Sequence, residues 1–144
     1  MIRDEKGFSL IEVLIALTIF AVGMLALAQM QIVSMEGNTT ARDVTEATTL
    51  AQSKIEELMI LPYDDDSLDD ADANGLVGLD ATGAVADASQ PGIDLMGETY
   101  DVWWNVAEDE PVVDTKTVRV IVTWQKKLQN KRVVFDFVKA NGGF

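Results

Sequence analysis

The chain has 144 residues, of which 24 are acidic and 11 basic, with no histidine, no cysteine and a net charge of −13. The missing residue types exclude thiolate nucleophiles, disulfide frameworks, zinc fingers and imidazole bases. The negative charge disfavours binding to nucleic acid, and any metal site must use oxygen ligands, which suit Ca²⁺ or Mg²⁺. An apolar content of 48% excludes an intrinsically disordered chain, and the length fits one domain.

A long apolar segment lies near the N-terminus. Residues 8–28 (FSLIEVLIALTIFAVGMLALA) contain one ionisable group, Glu12, and are apolar on every side of a helix. At ~1.5 Å per residue this helix would be roughly 31 Å long, which is enough to cross the hydrocarbon core of a bilayer. We therefore predict a membrane-spanning helix over 8–28.

The helical pattern continues over 29–61 in amphipathic form. Apolar residues recur there at steps of three and four, at Val44, Ala47, Ala51, Ile55 and Leu58. The first proline of the chain is Pro62, so nothing ends the helix earlier, although a new cap at 38–40 would bend it. The sequence thus predicts one long helix whose second half offers an apolar stripe to a domain.

The rest of the chain predicts an acidic connection followed by a sheet. Residues 62–97 are rich in Asp, Ala and Gly, and a loop of this length is functional or loosely ordered. In 98–144, three runs alternate apolar and polar residues: Thr99–Ala107, Thr117–Trp124 and Arg132–Val138. They predict a three- to four-stranded antiparallel sheet that packs on the helix and buries Trp104 and Trp124, which makes the fold α+β. Trp103 falls on the opposite face and is the predicted partner contact.

The N-terminus has two interpretations. Arg3 and Lys6 before an apolar run are typical of a secretory signal peptide, and cleavage after Ala28 would release a soluble acidic interaction module that starts at Gln29. Glu12 argues against this interpretation, because a carboxylate inside the apolar region costs about 3 kcal/mol in lipid without helping export.

The segment KGFSLIEVLIAL at 6–17 resembles the start of a bacterial type IV prepilin with its class III signal. The resemblance implies that residues 1–7 are a leader, that a prepilin peptidase cuts between Gly7 and Phe8, and that the new Phe8 amine is N-methylated. It also implies that Glu12 pairs with the N-terminal amine of a neighbouring subunit in a filament. The alternative is that Glu12 pairs with its own amine or lies at the headgroups and serves only in processing.

Two further stretches, AVGMLALAQMQ at 21–31 and the pair YDVWW and KTVRV at 100–104 and 116–120, resemble the PilV group of minor pilins, the type IV pilus modification proteins. The lack of cysteine, and of proline in the membrane-spanning half, also separates the chain from major pilins. The resemblance implies a structural and assembly subunit, not an enzyme. It would be held in the bacterial inner membrane by a single span, with its C-terminal part in the periplasm, and then enter the pilus.

The partners implied by the resemblance are the prepilin peptidase, other pilins through the N-terminal helix, the inner-membrane assembly platform and inner-membrane lipid, with no nucleic acid. Type II secretion pseudopilins share the same N-terminal chemistry and stand as the alternative family.

An acidic motif in the connection is a candidate metal site. The run DADANG at 70–75 fits the first half of an EF-hand loop, so that Asp70, Asp72 and Asn74 are candidate Ca²⁺ ligands. The bidentate Glu expected at the twelfth position is missing, since Ala81 stands there. The alternative is a solvated acidic loop that holds no cofactor.

Overall fold

A computed structural model describes residues 7–142, in which a long helix precedes a four-stranded sheet. The predicted leader, apart from Gly7, lies outside the described residues. In chain order the elements are helix α1 (Leu10–Ile60), short 3₁₀ turns at Asp66–Leu68, Gly75–Val77 and Gly83–Val85, and strands β1 (Ala88–Leu95), β2 (Glu98–Glu108), β3 (Thr115–Lys126) and β4 (Gln129–Ala140). The strands pair antiparallel in the order β1-β2-β3-β4, and α1 packs on this sheet, so the predicted α+β pilin-like class is confirmed.

Helix α1 continues through the point where the sequence allowed a new cap. The hydroxyls of Thr39 and Thr40 donate to the carbonyl oxygens of Met35 and Glu36 at 2.9 and 3.0 Å. Because both hydroxyls bond back to the preceding turn, they are not available to cap a new helix at 38–40. The predicted alternative of a new helix cap at 38–40 is therefore wrong, because α1 is continuous from Leu10 to Ile60.

The described chain divides into two units, residues 7–41 and residues 42–142, here the N-terminal and C-terminal units. In the N-terminal unit, every α1 side chain is exposed except that of Thr39, which is half-buried. The exposed side chains include large apolar ones such as Leu10, Phe20 and Leu25. The described residues of this unit therefore have no core of their own.

The C-terminal unit has a core between α1 and one face of the sheet. Its largest members come from the predicted alternating strands: Tyr100, Val102, Trp104, Val106, Val118, Val120, Val122 and Trp124. Helix α1 meets them with Ala47 and Ala51, which are fully buried and small enough to let the helix backbone approach the sheet closely. The predicted burial of Trp104 and Trp124 is confirmed.

The buried stripe of α1 differs from the predicted one, because it leaves out Val44 and includes two charged residues. Val44 is 42% exposed, whereas Asp43 and Lys54 are buried on the sheet side. Lys54 is accommodated because its ammonium lies 4.8 Å from the ring centroid of Trp104 and 2.8 Å from Glu57 Oε2. Charged side chains with such partners are tolerated inside a stripe that periodicity assigns to apolar residues.

The predicted connection over 62–97 contains a strand, β1, that the sequence pattern did not reveal. Its pairing with β2 shifts register between Gln90 and Ile93. Pro91 has no N–H to donate, and Gly92 has φ +75° and donates its N–H to Asp101 Oδ1 at 2.8 Å. This bulge interrupts the alternation by which a strand is recognised.

Residues 79–87 of the same connection cover part of the outer face of the sheet, the face turned away from α1. Asn105 Nδ2 donates to the carbonyl oxygens of Leu79 and Ala81, both at 2.9 Å, and Asn105 Oδ1 accepts the N–H of Asp87 at 3.0 Å. Asn105 is consequently only 1% exposed. Part of the acidic connection is thus fixed to the sheet and not a freely solvated loop.

Candidate functional site

The predicted processing site lies just before α1. The carbonyl oxygen of Ser9 accepts the N–H groups of Glu12 and Val13 at 3.0 and 3.2 Å, so Ser9 occupies the N-cap position and Glu12 the first turn. A carboxylate there is favoured by the positive end of the helix dipole. Phe8 lies before the first helical residue, Leu10, so Phe8 and Glu12 are not one helical turn apart on α1 in this structure.

The three residues of the predicted processing and assembly site are accessible. Gly7 and Glu12 are exposed, Phe8 is 83% exposed, and no heavy atom lies within 4 Å of the point where a Cβ on Gly7 would stand. Phe8 and Glu12 also line an open apolar groove of about 570 Å³ along the helix, with Val13, Ala16, Leu17 and Phe20. Glu12 is therefore one carboxylate on an otherwise apolar surface.

Helix α1 is long and apolar enough to cross a membrane. Its most apolar window of 18 residues has a mean hydropathy of 2.6, and none of that window is buried within the structure. The core helix of a soluble protein would be mostly buried. The exposed apolar helix is consistent with membrane anchoring.

The candidate Ca²⁺ site gains a residue that the motif did not include. One carboxylate oxygen each of Asp70, Asp72 and Asp87 lie within 4.8 Å of one another. Asp87 is held there by the N–H groups of Ala71 and Val106, which it accepts at 3.1 and 2.8 Å. Burial raises the pKa of Asp87, and the charges of Asp70 and Asp72 raise it further, while the hydrogen bonds lower it. Only the tertiary fold brings Asp87 to the motif.

Asn74, the third predicted ligand, is oriented toward its neighbours in the loop. Its side-chain amide donates to Asp72 Oδ2, and its backbone N–H lies 3.1 Å from Asp70 Oδ1. Asp70 Oδ2 also accepts the N–H of Gly75 at 2.8 Å. These carboxylates close the loop by accepting N–H groups, and Ca²⁺ binding by Asp70, Asp72 and Asn74 stays a prediction.

A cluster of charged and polar groups between α1 and the sheet was not predicted. Asp43, which is 1% exposed, pairs through Oδ2 with Lys126 Nζ at 3.1 Å, and Lys126 also bonds Glu98. These two bonds raise the pKa of Lys126. The hydroxyl of Tyr100 lies 3.0 Å from Glu46 Oε2, and burial together with this bond raises the pKa of Tyr100. The cluster fixes the register of α1 on the sheet, and Asp43 and Tyr100 at its centre are buried from solvent.

A groove of about 570 Å³ lies on the outer face of the sheet. Its floor is formed by β2 and β3, one wall by residues 82–83 of the connection, and the other by residues 130–132 of β4. Trp103 is on this face, partly exposed, and its Nε1 donates to Thr123 Oγ1 at 3.0 Å. The alternation of β2 correctly placed Trp103 opposite the core, but the walls arise from contacts distant in sequence.

The comparisons with known proteins concern the N-terminus. Residues 2–28 match the family model of the prokaryotic N-terminal methylation motif. No curated protein and no solved structure matches the chain. The match includes Gly7, Phe8 and Glu12. It covers the apolar start of a long helix whose later residues pack on a four-stranded antiparallel sheet. The motif and this architecture support a type IV pilin-like or pseudopilin-like structural subunit, and the motif is not that of an enzyme family.

Proposed function

We propose that the protein is a minor pilin of a type IV pilus. A prepilin peptidase would cut it between Gly7 and Phe8, and the Phe8 amine would be methylated. The observation that carries this proposal is an exposed apolar helix, within a matched methylation motif, that bears one carboxylate at Glu12. The absence of cysteine, and of proline within residues 8–28, supports a minor over a major subunit.

The exposed apolar side chains of the helix must be shielded from water, and two environments would do this. Before assembly the side chains of 8–28 meet lipid, and in a filament they meet the equivalent helices of other pilins. Packing among helices removes apolar surface from any contact with water, so the helix is stable in either setting. The C-terminal unit keeps its own core throughout, because its buried residues contact one another and not residues 8–28.

Glu12 would make the transfer of the helix from lipid to the filament specific. A carboxylate in a low-dielectric helix bundle is costly unless an opposite charge lies close to it. Cleavage after Gly7 creates such a charge, the Phe8 amine, and the amine of a neighbouring subunit would pair with Glu12. A shift of one helical turn between neighbours would leave both charges unpaired, so the pair also sets the axial register.

The test is incorporation of Glu12→Ala into sheared filaments, compared with Glu36→Ala, which removes a carboxylate farther along the same helix. We expect Glu12→Ala to be inserted in the membrane and processed, but reduced about tenfold or more in the filament fraction, equivalent to at least ~1.4 kcal/mol. We expect Glu36→Ala to be incorporated like the natural chain. Equal incorporation of both variants, measured by immunoblot, would contradict the pairing role.

The processing step is tested separately with Gly7→Leu. A bulky side chain before the cut should leave uncleaved precursor in the membrane, visible as a larger band, whereas Gly23→Leu should be cleaved normally. Complete processing of Gly7→Leu would contradict the assignment of the cleavage site between Gly7 and Phe8.

The same motif and fold also support a type II secretion pseudopilin as the second candidate. Deletion of the gene distinguishes the two. A minor pilin predicts fewer or altered surface pili with unchanged protein secretion, and a pseudopilin predicts the reverse.

A further inference from the structure

The outer-face groove combines an aromatic platform with polar groups from three elements. Trp103 forms part of the floor, and its indole N–H is already bonded to Thr123 Oγ1. This bond satisfies the polar edge of the ring and fixes its orientation. What Trp103 offers to a ligand is therefore its apolar ring surface, held rigidly by a strand in the middle of the sheet.

Hydrogen-bonding side chains surround this ring in rows set by the strand register. Asp101, Thr123 and Arg132 are neighbours across β2, β3 and β4. Gln125 and Asn130 are paired in the next row, and both are exposed. A carboxylate, a hydroxyl, two amides and a guanidinium thus face one space within two rows.

Several of these groups keep bonding capacity for a ligand. Asp101 uses Oδ1 to accept the N–H of Gly92 at 2.8 Å, and this bond anchors the carboxylate at the β1 bulge. Arg132 has a side chain that is 58% exposed, and its Nη1 lies 4.0 Å from Asp80 Oδ1, which is a loose ion pair.

The groove has one exposed cation that an anionic group could meet. The register of β4 places Arg132 beside Thr123 on the groove side of the sheet, whereas Lys131 lies opposite Trp124 on the other side. Because the whole protein has a net charge of −13, a ligand with a negative group is attracted to Arg132 and repelled by most of the remaining surface.

We propose that the outer-face groove binds a sugar ring, and that it prefers a sugar that carries a carboxylate. The C–H face of a pyranose is flat and apolar and fits an indole ring, while its hydroxyls both donate and accept and match amides, a hydroxyl and a carboxylate in one plane. The acidic substituent would lie beside Arg132. A purely apolar ligand would leave these polar groups unpaired, and an extended acidic peptide would not need the ring.

The location of the groove suits contact with an external saccharide. It lies on the face of the sheet turned away from residues 42–60 of α1, so packing of that helix side does not cover it. Sugar binding requires only residues of the C-terminal unit, so its failure would leave the pilin assignment untouched.

The test uses the full-length protein in an amine-oxide detergent, which has no sugar headgroup to compete. Saturation-transfer NMR is recorded with D-glucose, D-galactose, D-glucuronate and D-galacturonate as the probes. We expect transfer strongest to the ring C–H protons, dissociation constants on the order of 1 mM, and a preference for one or both uronates over their neutral counterparts. No transfer from any of the four sugars would overturn the proposal.

Point variants test whether the sugars bind in the outer-face groove. Trp103→Ala should abolish transfer, and Asn130→Ala should weaken binding roughly fivefold to tenfold through loss of one hydrogen bond. Gln129→Ala, on the same strand but outside the groove lining, is the matched control and should bind normally. Unchanged transfer in both groove variants would overturn the proposal, and if Trp103→Ala fails to fold, Trp103→Phe and Asn130→Ala carry the same test.

The preference for acidic sugars has its own variant. Arg132→Gln should reduce uronate binding to the level of the neutral sugar, while Lys127→Gln, at the β3–β4 turn and outside the lining, should not. Equal binding of neutral and acidic sugars by the natural chain would overturn the assigned preference.

Discussion

The two units place the same residue types in opposite environments. Leu25 in the N-terminal unit is 67% exposed, whereas Leu58 in the C-terminal unit is 1% exposed, although both lie on α1. Within the described chain, residues 10–38 expose their apolar side chains, while 42–60 bury a stripe against the sheet. One helix thus carries two kinds of apolar surface, one that stabilises the fold and one that remains for lipid or other helices.

The largest predicted effect separates these two surfaces directly. Leu58→Ala should lower the free energy of unfolding by about 2–5 kcal/mol, because it leaves a cavity in the core, whereas Leu25→Ala should change it by less than ~0.5 kcal/mol. Urea unfolding of the protein in detergent, followed by the fluorescence of the buried tryptophans, measures both. Similar losses in the two variants would contradict the division.

A smaller effect is predicted where β4 holds the end of α1. Lys139 Nζ lies 3.2 and 2.9 Å from the carbonyl oxygens of Leu58 and Met59, and it also bonds that of Leu61. No basic residue lies in the last turn of α1, so Lys139, from strand β4, donates to the carbonyl groups that are left unpaired at the C-terminal end of the helix.

Lys139→Met should therefore destabilise the C-terminal unit by about 1–2 kcal/mol. Lys131→Met, an exposed position on the same strand, is the matched control and should have almost no effect on the unfolding midpoint. If both substitutions cost the same, the lysine does not cap the helix.

Lys116, the buried lysine of β3, makes the folded state less stable as the pH becomes alkaline. Burial lowers the pKa of Lys116, but hydrogen bonds to Glu108 and Asp69 raise it by more, so the pKa in the folded state is raised. Its contribution is therefore fully present below the unfolded pKa of about 10.4 and is lost as the pH rises through the higher folded value. Tyr100 acts in the same direction, because burial raises its pKa.

Thermal unfolding midpoints between about pH 8 and pH 12 measure this dependence. Lys116→Met should have a lower midpoint at pH 8 and a shallower fall above pH 10, with Tyr100 and Lys126 contributing to the remaining slope. The same slope as in the natural chain would mean that Lys116 is not coupled to folding.

The smallest predicted effect concerns Ca²⁺. Binding at Asp70, Asp72 and Asp87 predicts calorimetric heat and a stabilisation of about 1.4 kcal/mol at tenfold excess of Ca²⁺ over its dissociation constant. Asp87→Asn should remove both. A natural chain that gives neither heat nor a shift in unfolding midpoint would leave these carboxylates as acceptors that close the loop.

The parts of the fold that follow local rules were predictable from sequence. Period-two alternation correctly assigned the buried and outer faces of β2 and β3, and proline placement correctly located the end of α1. Pro91 and Gly92 concealed β1, because a bulged edge strand does not alternate.

The sites that depend on tertiary contacts were not predictable. Asp87 is positioned at the acidic motif by hydrogen bonds to Asn105 and Val106 of β2, and the groove beside Trp103 exists because Asn105 fixes residues 79–87 over the sheet. Asp43 is buried because Lys126 pairs with it from 83 residues later in the chain. Neither periodicity nor composition encodes such partners.

The central claim is that the apolar helix is trimmed at its start and then retained. Mass spectrometry of the N-terminal peptide from the protein isolated from its own cells tests this claim most directly. The predicted result is a chain that begins at Phe8, carries one methyl group on its amine and still contains residues 8–28. A chain that begins at Gln29 would contradict the claim.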